Sequence, residues 1–452
     1  MKTYQDFLDA PDKKAFVKMV IGQHKSSPLY LTAKLADEYD RHENRTIKNY
    51  QKLLYDVTGR AIPDNYSANY KMASKFFNRF ITQENQYLLG NGITWGKNDT
   101  KGKLGGDDFD IQIQKLGKMA LSGAVSFGFW NYTHLEPFSV LEFVPLYDEE
   151  NGALRAGVRW WQIDADKPLR ATLYEVDGYT EYLWSKDYPD GTVLQKKRPY
   201  MFKVRKSVIG GLDYYDGKNY PSFPIVPLWG NPHHQSEIVG LQEQIDCYDL
   251  IKSGYANNVD EGSLIYWTLQ NAGGMDDHDL VKFVKKMKMM HAAVTDDNVK
   301  VDAHNLEAPY QSREALLEKL RGDLYEDAMA LDIKDIASGA VTATQIKAAY
   351  EPLNSKTDQY EYCVREFLSE LLAISGIEDE PTFTRSVIVN AQEEVQLVIQ
   401  AAQYLDEEYI TRKVLTLLGD GDLAEDVLSR LTSNELERGG NTDKTEDLST
   451  EE

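Results

Sequence analysis

The sequence predicts an α+β protein organised by long amphipathic helices, and three observations carry that expectation. Residues 236–377 read as a helix, a small β-containing excursion, a second helix, a short glycine loop and one very long helix. Residues 127–227 are rich in aromatic and β-branched side chains interrupted by Asx-Gly pairs, the pattern of an antiparallel meander. With 452 residues and 42% hydrophobic content the chain can bury a large core and hold two or more domains.

In chain order, residues 1–60 read as helical and amphipathic. Phe16, Val17, Val20 and Ile21 form one apolar cluster, the charged segment 34–52 forms a more polar helix, and Pro28 and Pro63 punctuate them. A further helix is expected over residues 66–90, with Met72, Phe76, Phe80 and Ile81 inward, stopping at Gly90-Asn91-Gly92. Gly90, Gly92, Gly96 and Lys97 miss the spacing of a phosphate-binding loop, and Asn98 stands where Ser or Thr is required, so these glycines are read as a helix stop. Another helix, beginning near residue 108, leads into the small-residue turn Leu121-Ser122-Gly123-Ala124, and strands start near Phe127.

The meander carries hairpin signals at Asn151-Gly152, Asp177-Gly178, Asp190-Gly191 and Asp216-Gly217. Its Trp160-Trp161 pair and its tyrosines are expected to pack the sheet on helices, and a stacking platform for sugars or bases is the alternative. Pro221, Pro224 and Pro227 make a rigid lead-in to the first organising helix. His233 and His234 follow; adjacent positions point apart and no ligand spacing accompanies them, so they read as loop rather than metal pair.

In the first organising helix Ile238, Leu241, Ile245, Tyr248, Tyr255 and Val259 share one face. In the second, Leu317, Leu320, Leu324, Ala328 and Leu331 do so, after Ser312 as N-cap. Between them residues 263–269 read as a strand, Asp276 or Asp277 caps a short helix, and a strand pair is expected near 292–294 and 299–301. The short helix carries Lys282, Lys285, Lys286 and Lys288, which serve either as a solvated face or as a contact for DNA phosphates or an acidic partner. In the last helix Ile346, Tyr350, Leu353, Thr357, Tyr360, Val364, Phe367, Leu371 and Ile374 keep steps of four and three without a break. A helix over residues 344–375 would be ~48 Å long at about 1.5 Å per residue. Pro352 lies inside it and is expected to kink or break it. Residues 381–389 look like an isolated strand, helices follow over 393–405 and from about Asp406, and Asp422 with Glu425 opens another. The acidic stretch 437–452 has the composition of a disordered tail.

Charge and cysteine content narrow the classes. A formal charge of −22 argues against a surface that as a whole grips nucleic acid, although it permits a passage that DNA traverses without sticking. Cys247 and Cys363 are far apart on expected helices, which excludes a disulfide framework and fits a reducing compartment. The beginning of the sequence lacks the apolar core of a secretion signal, and no run of about eighteen apolar residues suggests a membrane span.

The order of these elements resembles the portal proteins of tailed bacteriophages, in the family found in long-tailed phages of Gram-positive hosts. The likeness rests on Val140-Leu141-Glu142-Phe143-Val144-Pro145-Leu146-Tyr147-Asp148 with Ala156-Gly157-Val158-Arg159-Trp160-Trp161. It rests further on Phe223-Pro224-Ile225-Val226-Pro227-Leu228 leading to Gly240-Leu241-Gln242-Glu243-Gln244-Ile245-Asp246-Cys247-Tyr248-Asp249, and on Ala337-Ser338-Gly339-Ala340-Val341-Thr342-Ala343. The resemblance implies a homo-oligomeric ring, usually a dodecamer, at one capsid vertex, through which double-stranded DNA is packaged and ejected without sequence specificity. It implies the portal fold: a wing over residues 1–235, stem helices over 236–260 and 311–332, a clip over 261–310 and a tunnel loop over 333–343. The long wing helix and a following strand would occupy 344–390, a helical crown 391–435 and the acidic tail 436–452.

On the same ground Leu241, Ile245, Leu317, Leu320 and Leu324 would pack the stem, and Lys334, Ser338, Gly339, Ala340 and Val341 would form the channel loop. Lys282, Lys285, Lys286 and Lys288 would meet DNA, terminase or adaptor at the clip. The implied partners are the terminase large subunit, a head-completion or adaptor protein, and the major capsid and scaffolding proteins. The implied location is the virion, and the host cytoplasm during assembly, with no membrane. No cofactor, metal site or catalytic residue is implied. Two other classes compete. A packaging nuclease or ATPase would need a phosphate loop or clustered metal-binding carboxylates, and the acidic pairs Asp107-Asp108 and Asp296-Asp297 sit in turn-like contexts instead. A rod-forming scaffold would suit the long helical seam but not the sheet-rich region before Trp229.

Overall fold

The computed structural model describes residues 2–55, 59–65, 67–206, 213–262, 266–270, 278–279, 282–283, 300–304, 310–334, 343–386, 391–418, 423–424 and 427–430. The chain forms two compact units, one of residues 1–330 with 355–385, the other of 331–354 with 386–452.

The first unit opens with four helices, α1 (Tyr4–Asp9), α2 (Lys13–Lys25), α3 (Pro28–Asp40) and α4 (Arg45–Asn49). Segment 34–52 is therefore two helices and not one. Ser27 caps α3 with Pro28 in its first turn, and His42 adopts a left-handed conformation (φ 64°) that breaks the helix before α4. A strand pair absent from the sequence reading follows, β1 (Leu53–Tyr55) and β2 (Ala61–Pro63). Helix α5 spans Phe76–Leu89 only, because backbone amides upstream of it bond to another helix, as described below. It is followed by β3 (Ile93–Trp95), α6 (Thr100–Lys103) and α7 (Asp107–Gly123). Gly123 ends α7 and Ala124 turns the chain at φ 72°, so the strands begin at Val125, slightly earlier than expected.

Strands β4 (Val125–Trp130), β5 (Leu135–Ser139) and β13 (Ile225–Trp229) form a three-stranded antiparallel sheet with β4 central, and every residue of β4 is buried. The expected meander is the five-stranded sheet β6 (Phe143–Tyr147), β7 (Leu154–Trp161), β8 (Leu169–Glu175), β9 (Gly178–Trp184) and β10 (Thr192–Arg198), in sequential order. Three of the four Asx-Gly pairs lie in its hairpin turns, where Gly152, Gly178 and Gly191 take φ of 68°, 138° and 80°. The fourth does not turn the chain. Asp216 and Gly217 lie inside β12 (Asp213–Lys218), paired with Lys203 and Phe202 of β11 (Met201–Lys206). Trp160 is buried edge-on to His24, in a core with Phe16, Val17, Val20 and Ile21, whereas Trp161 is 40% exposed. The packing reading thus applies to one tryptophan of the pair.

Two further helices, α8 (Gln242–Gly262) and α9 (Tyr310–Asp327), flank a hairpin of β14 (Tyr266–Gln270) and β15 (Lys300–His304). The partner of β15 is β14 and not the segment near 292–294, which lies outside the described residues. Ser312 falls within the first turn of α9 and does not precede it. Helix α10 (Ala343–Ser375) runs unbroken through Pro352. One missing N–H costs a single hydrogen bond, and the seam from Tyr350 to Ile374 is buried along its whole length, which outweighs that loss. Strand β16 (Pro381–Phe383) is not isolated: it pairs antiparallel with β3. The main core of the first unit joins α3, α5, α7, the three-stranded sheet, the start of α8, the end of α9 and residues Tyr360–Ile374.

In the second unit α11 (Ala391–Ala401) ends in a 3-10 turn, Ala402–Tyr404, and α12 (Glu407–Leu418) follows. Asp422, Glu425 and the acidic stretch 437–452 lie outside the described residues. Among the described residues no helix is long and apolar enough to cross a membrane.

Candidate functional site: the paired helices and their anchorage

Helices α8 and α9 pack antiparallel. Near one end Gln244 donates to Asp327, and near the other Tyr255 meets Tyr310 edge-on with ring centroids 5.8 Å apart. Arg313 also donates to the Gly254 carbonyl at 3.4 Å. At the root of the pair Phe76 and Phe80 pack edge-on against Tyr325, and Phe76 does the same with Tyr248. Leu241, Ile245 and Leu324 are buried in this root, with Leu324 fully enclosed, whereas Leu317 and Leu320 farther along α9 are only half-buried.

The apolar face assigned to the first helix from sequence changes character along its length. Ile238 and Leu241 lie in the turn before α8, and Val259 is 51% exposed. From Ile245 onward the buried positions are Asp249, Ser253 and Asn257, each four residues apart. These side chains accept hydrogen bonds from alternate backbone amides: Ser74 N–H to Asp249 at 2.9 Å, Met72 N–H to Ser253 at 3.0 Å and Tyr70 N–H to Asn257 at 2.6 Å. Four helical residues rise ~6.0 Å, and two extended residues advance about 6.6 Å, so the two repeats stay in step over three rungs. Asn44 adds a side-chain donor to Asp249. Burial raises the Asp249 carboxyl above its ordinary value, and the Asn44 and Ser74 donors oppose that shift.

A second polar junction lies at the root. The Lys356 ammonium on α10 sits 2.9 Å from a Glu84 carboxylate oxygen on α5 and 2.7 Å from a Glu237 oxygen ahead of α8. It also donates to the Ala328 carbonyl at the end of α9, at 3.2 Å. Burial and the neighbouring Glu237 push Glu84 up to about 7 against the pull of Lys356. Burial would lower Lys356, but the two carboxylates together outweigh it and hold the ammonium charged. Beside it Tyr360 donates to Asn85 at 3.0 Å.

The remaining residues singled out from sequence fall as follows. Lys282 is exposed and 3.6 Å from Asp279; Lys285, Lys286 and Lys288 lie outside the described residues. Lys334 is exposed and its backbone amide bonds to Asp332 at 3.1 Å; Ser338, Gly339, Ala340 and Val341 lie outside the described residues. His234 stacks on Trp229 with centroids 3.8 Å apart. Sequence reading missed Asp249, Ser253, Asn257 and Lys356. The first three carried a usable signal, short polar side chains at four-residue spacing on an otherwise amphipathic helix. Among the described residues no group of three or more His, Cys, Asp or Glu side chains is disposed to hold a metal ion. The chemistry at hand is that of a rigid mount: buried charges and hydrogen bonds tie α8 to the segment 70–74 and the ends of the helix pair to α5 and α10.

Comparison with known proteins gives one family over most of the chain. Residues 33–418 match the family described as "Phage portal protein, SPP1 Gp6-like". The chain is similar to the "Portal protein" of Bacillus phage SPP1, 23% identical over 422 residues, which cover 85% of this chain and 79% of the relative. It is also similar to the "Portal protein" of Clostridium phage phiCD119, 24% identical over 203 residues, 43% of this chain and 45% of the relative.

Proposed function

From the premise that this chain belongs to the SPP1 Gp6-like family of phage portal proteins, we propose that it assembles into a closed dodecameric ring at one capsid vertex. Double-stranded DNA passes through the ring on packaging and ejection. The observation that carries this reading is the pair α8–α9, rooted by buried polar contacts and joined at its far end by the β14–β15 hairpin. On this reading the pair is the stem, the hairpin region the clip, the segment around Ser338–Val341 the tunnel loop, and α11–α12 the crown. The rest of the first unit, with α10, forms the wing.

Partly exposed apolar side chains along the outer half of α9, among them Leu316 at 44%, suit repeated contacts between neighbouring copies. A channel must pass every sequence without holding it, and a chain with a net charge of −22 suits sliding better than gripping. The clip would dock the terminase large subunit during filling and a head-completion protein afterwards. The wing and crown would meet the major capsid and scaffolding proteins. The protein thus serves as a structural component of the virion and not as an enzyme, and passes through the host cytoplasm before assembly.

Negative-stain electron microscopy of the purified protein, with mass determination on the same sample, tests the reading. Closed rings with a central hole are expected. Monomers call for the same measurement in the presence of scaffold, where rings are then required. Rods, or nucleotide hydrolysis by the pure chain, would overturn it.

A further inference from the structure

Strand β4 lies at the centre of its sheet, so β13 is an edge strand. Its register on β4 runs from Ile225 opposite Phe129 to Trp229 opposite Val125. Two bonds flank that pairing: the Trp130 amide donates to the Pro224 carbonyl and the Gly230 amide to the Ala124 carbonyl, each at 3.0 Å. Bonded positions alternate in an antiparallel pair, so Val226 and Leu228 turn their N–H and C=O groups toward β4, and Ile225, Pro227 and Trp229 turn theirs to the outer edge. Pro227 thus stands where its missing N–H costs the ladder nothing. The outer edge offers the carbonyls of Ile225, Pro227 and Trp229 and the amides of Ile225 and Trp229, and among the described residues no strand pairs with it.

A groove of about 770 Å³ runs along this edge, lined also by Tyr147 and Leu154 of the β6–β7 hairpin and by Glu370 and Ile374 of α10. Arg155, at the same groove, is met by Asp148 at 3.3 Å. Glu370 has no such partner: partial desolvation, and then the neighbouring Glu366, raise its carboxyl above the ordinary value, and no cation offsets them. Main-chain groups left over along one side select an extended chain, because a strand presents its own donors and acceptors at the matching ~6.8 Å repeat. The apolar lining selects alternate apolar side chains, and Glu370 selects a positive charge.

We infer that the outer edge of β13 is a docking groove for an extended segment of another protein, one that adds as a strand and carries alternate apolar side chains and a lysine or arginine to meet Glu370. The groove belongs to the single chain, so the inference does not rest on ring assembly and either can fail without the other.

Residue-resolved hydrogen exchange on the full-length chain tests it. Without a partner, the Ile225 and Trp229 amides are expected to exchange at least tenfold faster than those of Val226 and Leu228; equal protection means that the edge is already covered and overturns the inference. The probe is a short peptide of alternating valine and threonine with a lysine at each end, at about 1 mM, a concentration that detects binding as weak as roughly −4 kcal/mol. It should slow Ile225 and Trp229 at least tenfold, and the same peptide methylated at every backbone nitrogen, which keeps side chains and charge but cannot donate, should not. No protection by the first peptide, or equal protection by both, overturns strand addition. Glu370→Gln should weaken the peptide about threefold, as for a surface ion pair, and unchanged binding overturns the cationic occupant. If the protein forms rings and these protect Ile225 and Trp229 with no peptide present, the groove belongs to a neighbouring copy and the inference is overturned.

Discussion

Replacing Asp249 by Ala removes the acceptor of two donors, the Ser74 amide and the Asn44 side-chain amide, all three residues being buried. Hydrogen bonds to a charged acceptor contribute roughly 1.5–3 kcal/mol each, and an unpaired buried donor costs about 1–3 kcal/mol. Against this, the substitution also removes a carboxyl whose own burial is unfavourable, as its raised proton affinity records. The net local cost is ~2–4 kcal/mol, or about 30- to 1000-fold in the opening equilibrium at roughly 1.4 kcal/mol per decade. Ser253→Ala removes a single neutral bond to the half-buried Met72 amide and costs ~1 kcal/mol.

A chain of two units does not unfold in one step, so a melting temperature would blur this effect. The assay is residue-resolved hydrogen exchange at Tyr70, Met72 and Ser74. Asp249→Ala should accelerate Ser74 most, and Ser253→Ala should act chiefly on Met72. If Asp249→Ala leaves these amides within twofold of wild type, or accelerates the whole first unit equally, the ladder does not hold the segment and the reasoning fails.

Other predictions extend to the core and to the proposed channel. Glu84 is raised to about 7 in the folded chain from 4.5, so its contribution to stability is full below pH 4.5 and is lost as pH rises through about 7. Hydrogen exchange in peptides over 76–123, corrected for the intrinsic effect of pH, should show that decline in wild type and not in Glu84→Gln; parallel pH profiles would refute it. Gly128→Ala places a Cβ 2.6 Å from the Phe367 ring and 3.0 Å from a Leu135 methyl, so these buried side chains must give way, at about 1–3 kcal/mol read as faster hydrogen exchange in β4 and β5. A bulky residue at Gly339 should leave ring assembly visible by microscopy while DNA packaging or retention falls; normal packaging counts against the channel assignment. Changing Lys285, Lys286 and Lys288 to Glu should weaken terminase or adaptor docking, or DNA handling, in pull-down and packaging assays with the circular dichroism spectrum preserved; loss of that spectrum would make the cluster structural.

The long seam of α10 was legible because nine residues kept one spacing, and the meander because Asx-Gly pairs mark two-sided strands. Where reading by pattern failed, long-range partners decided. Met72 looked like part of a helix that starts only at Phe76, since its amide belongs to Ser253, 181 residues away. Residues 381–383 looked isolated because their partner strand lies near the other end of the unit. The Asp216-Gly217 pair carried a turn composition and sits mid-strand, since pairing with β11 fixes the register there. At the candidate site Leu241, Ile245 and Leu324 were visible as apolar periodicity, whereas Lys356 was hidden within a charged helix face until two carboxylates and a carbonyl met it.

The pairing of β16 with β3 bears on how the chain is made. At about 5–20 residues per second, synthesis of residues 96–380 takes roughly 15–60 s, and for that interval Ile93–Trp95 has no partner strand. Val364, Phe367 and Leu371, which complete the core around Leu88, Ile113 and Phe127, arrive just as late. The nascent chain therefore carries an open apolar face on α5, α7 and β4 until residues 364–374 have been made. A subunit truncated before Val364 lacks the residues that close this core, and a lower soluble yield than that of the full chain is the expected outcome.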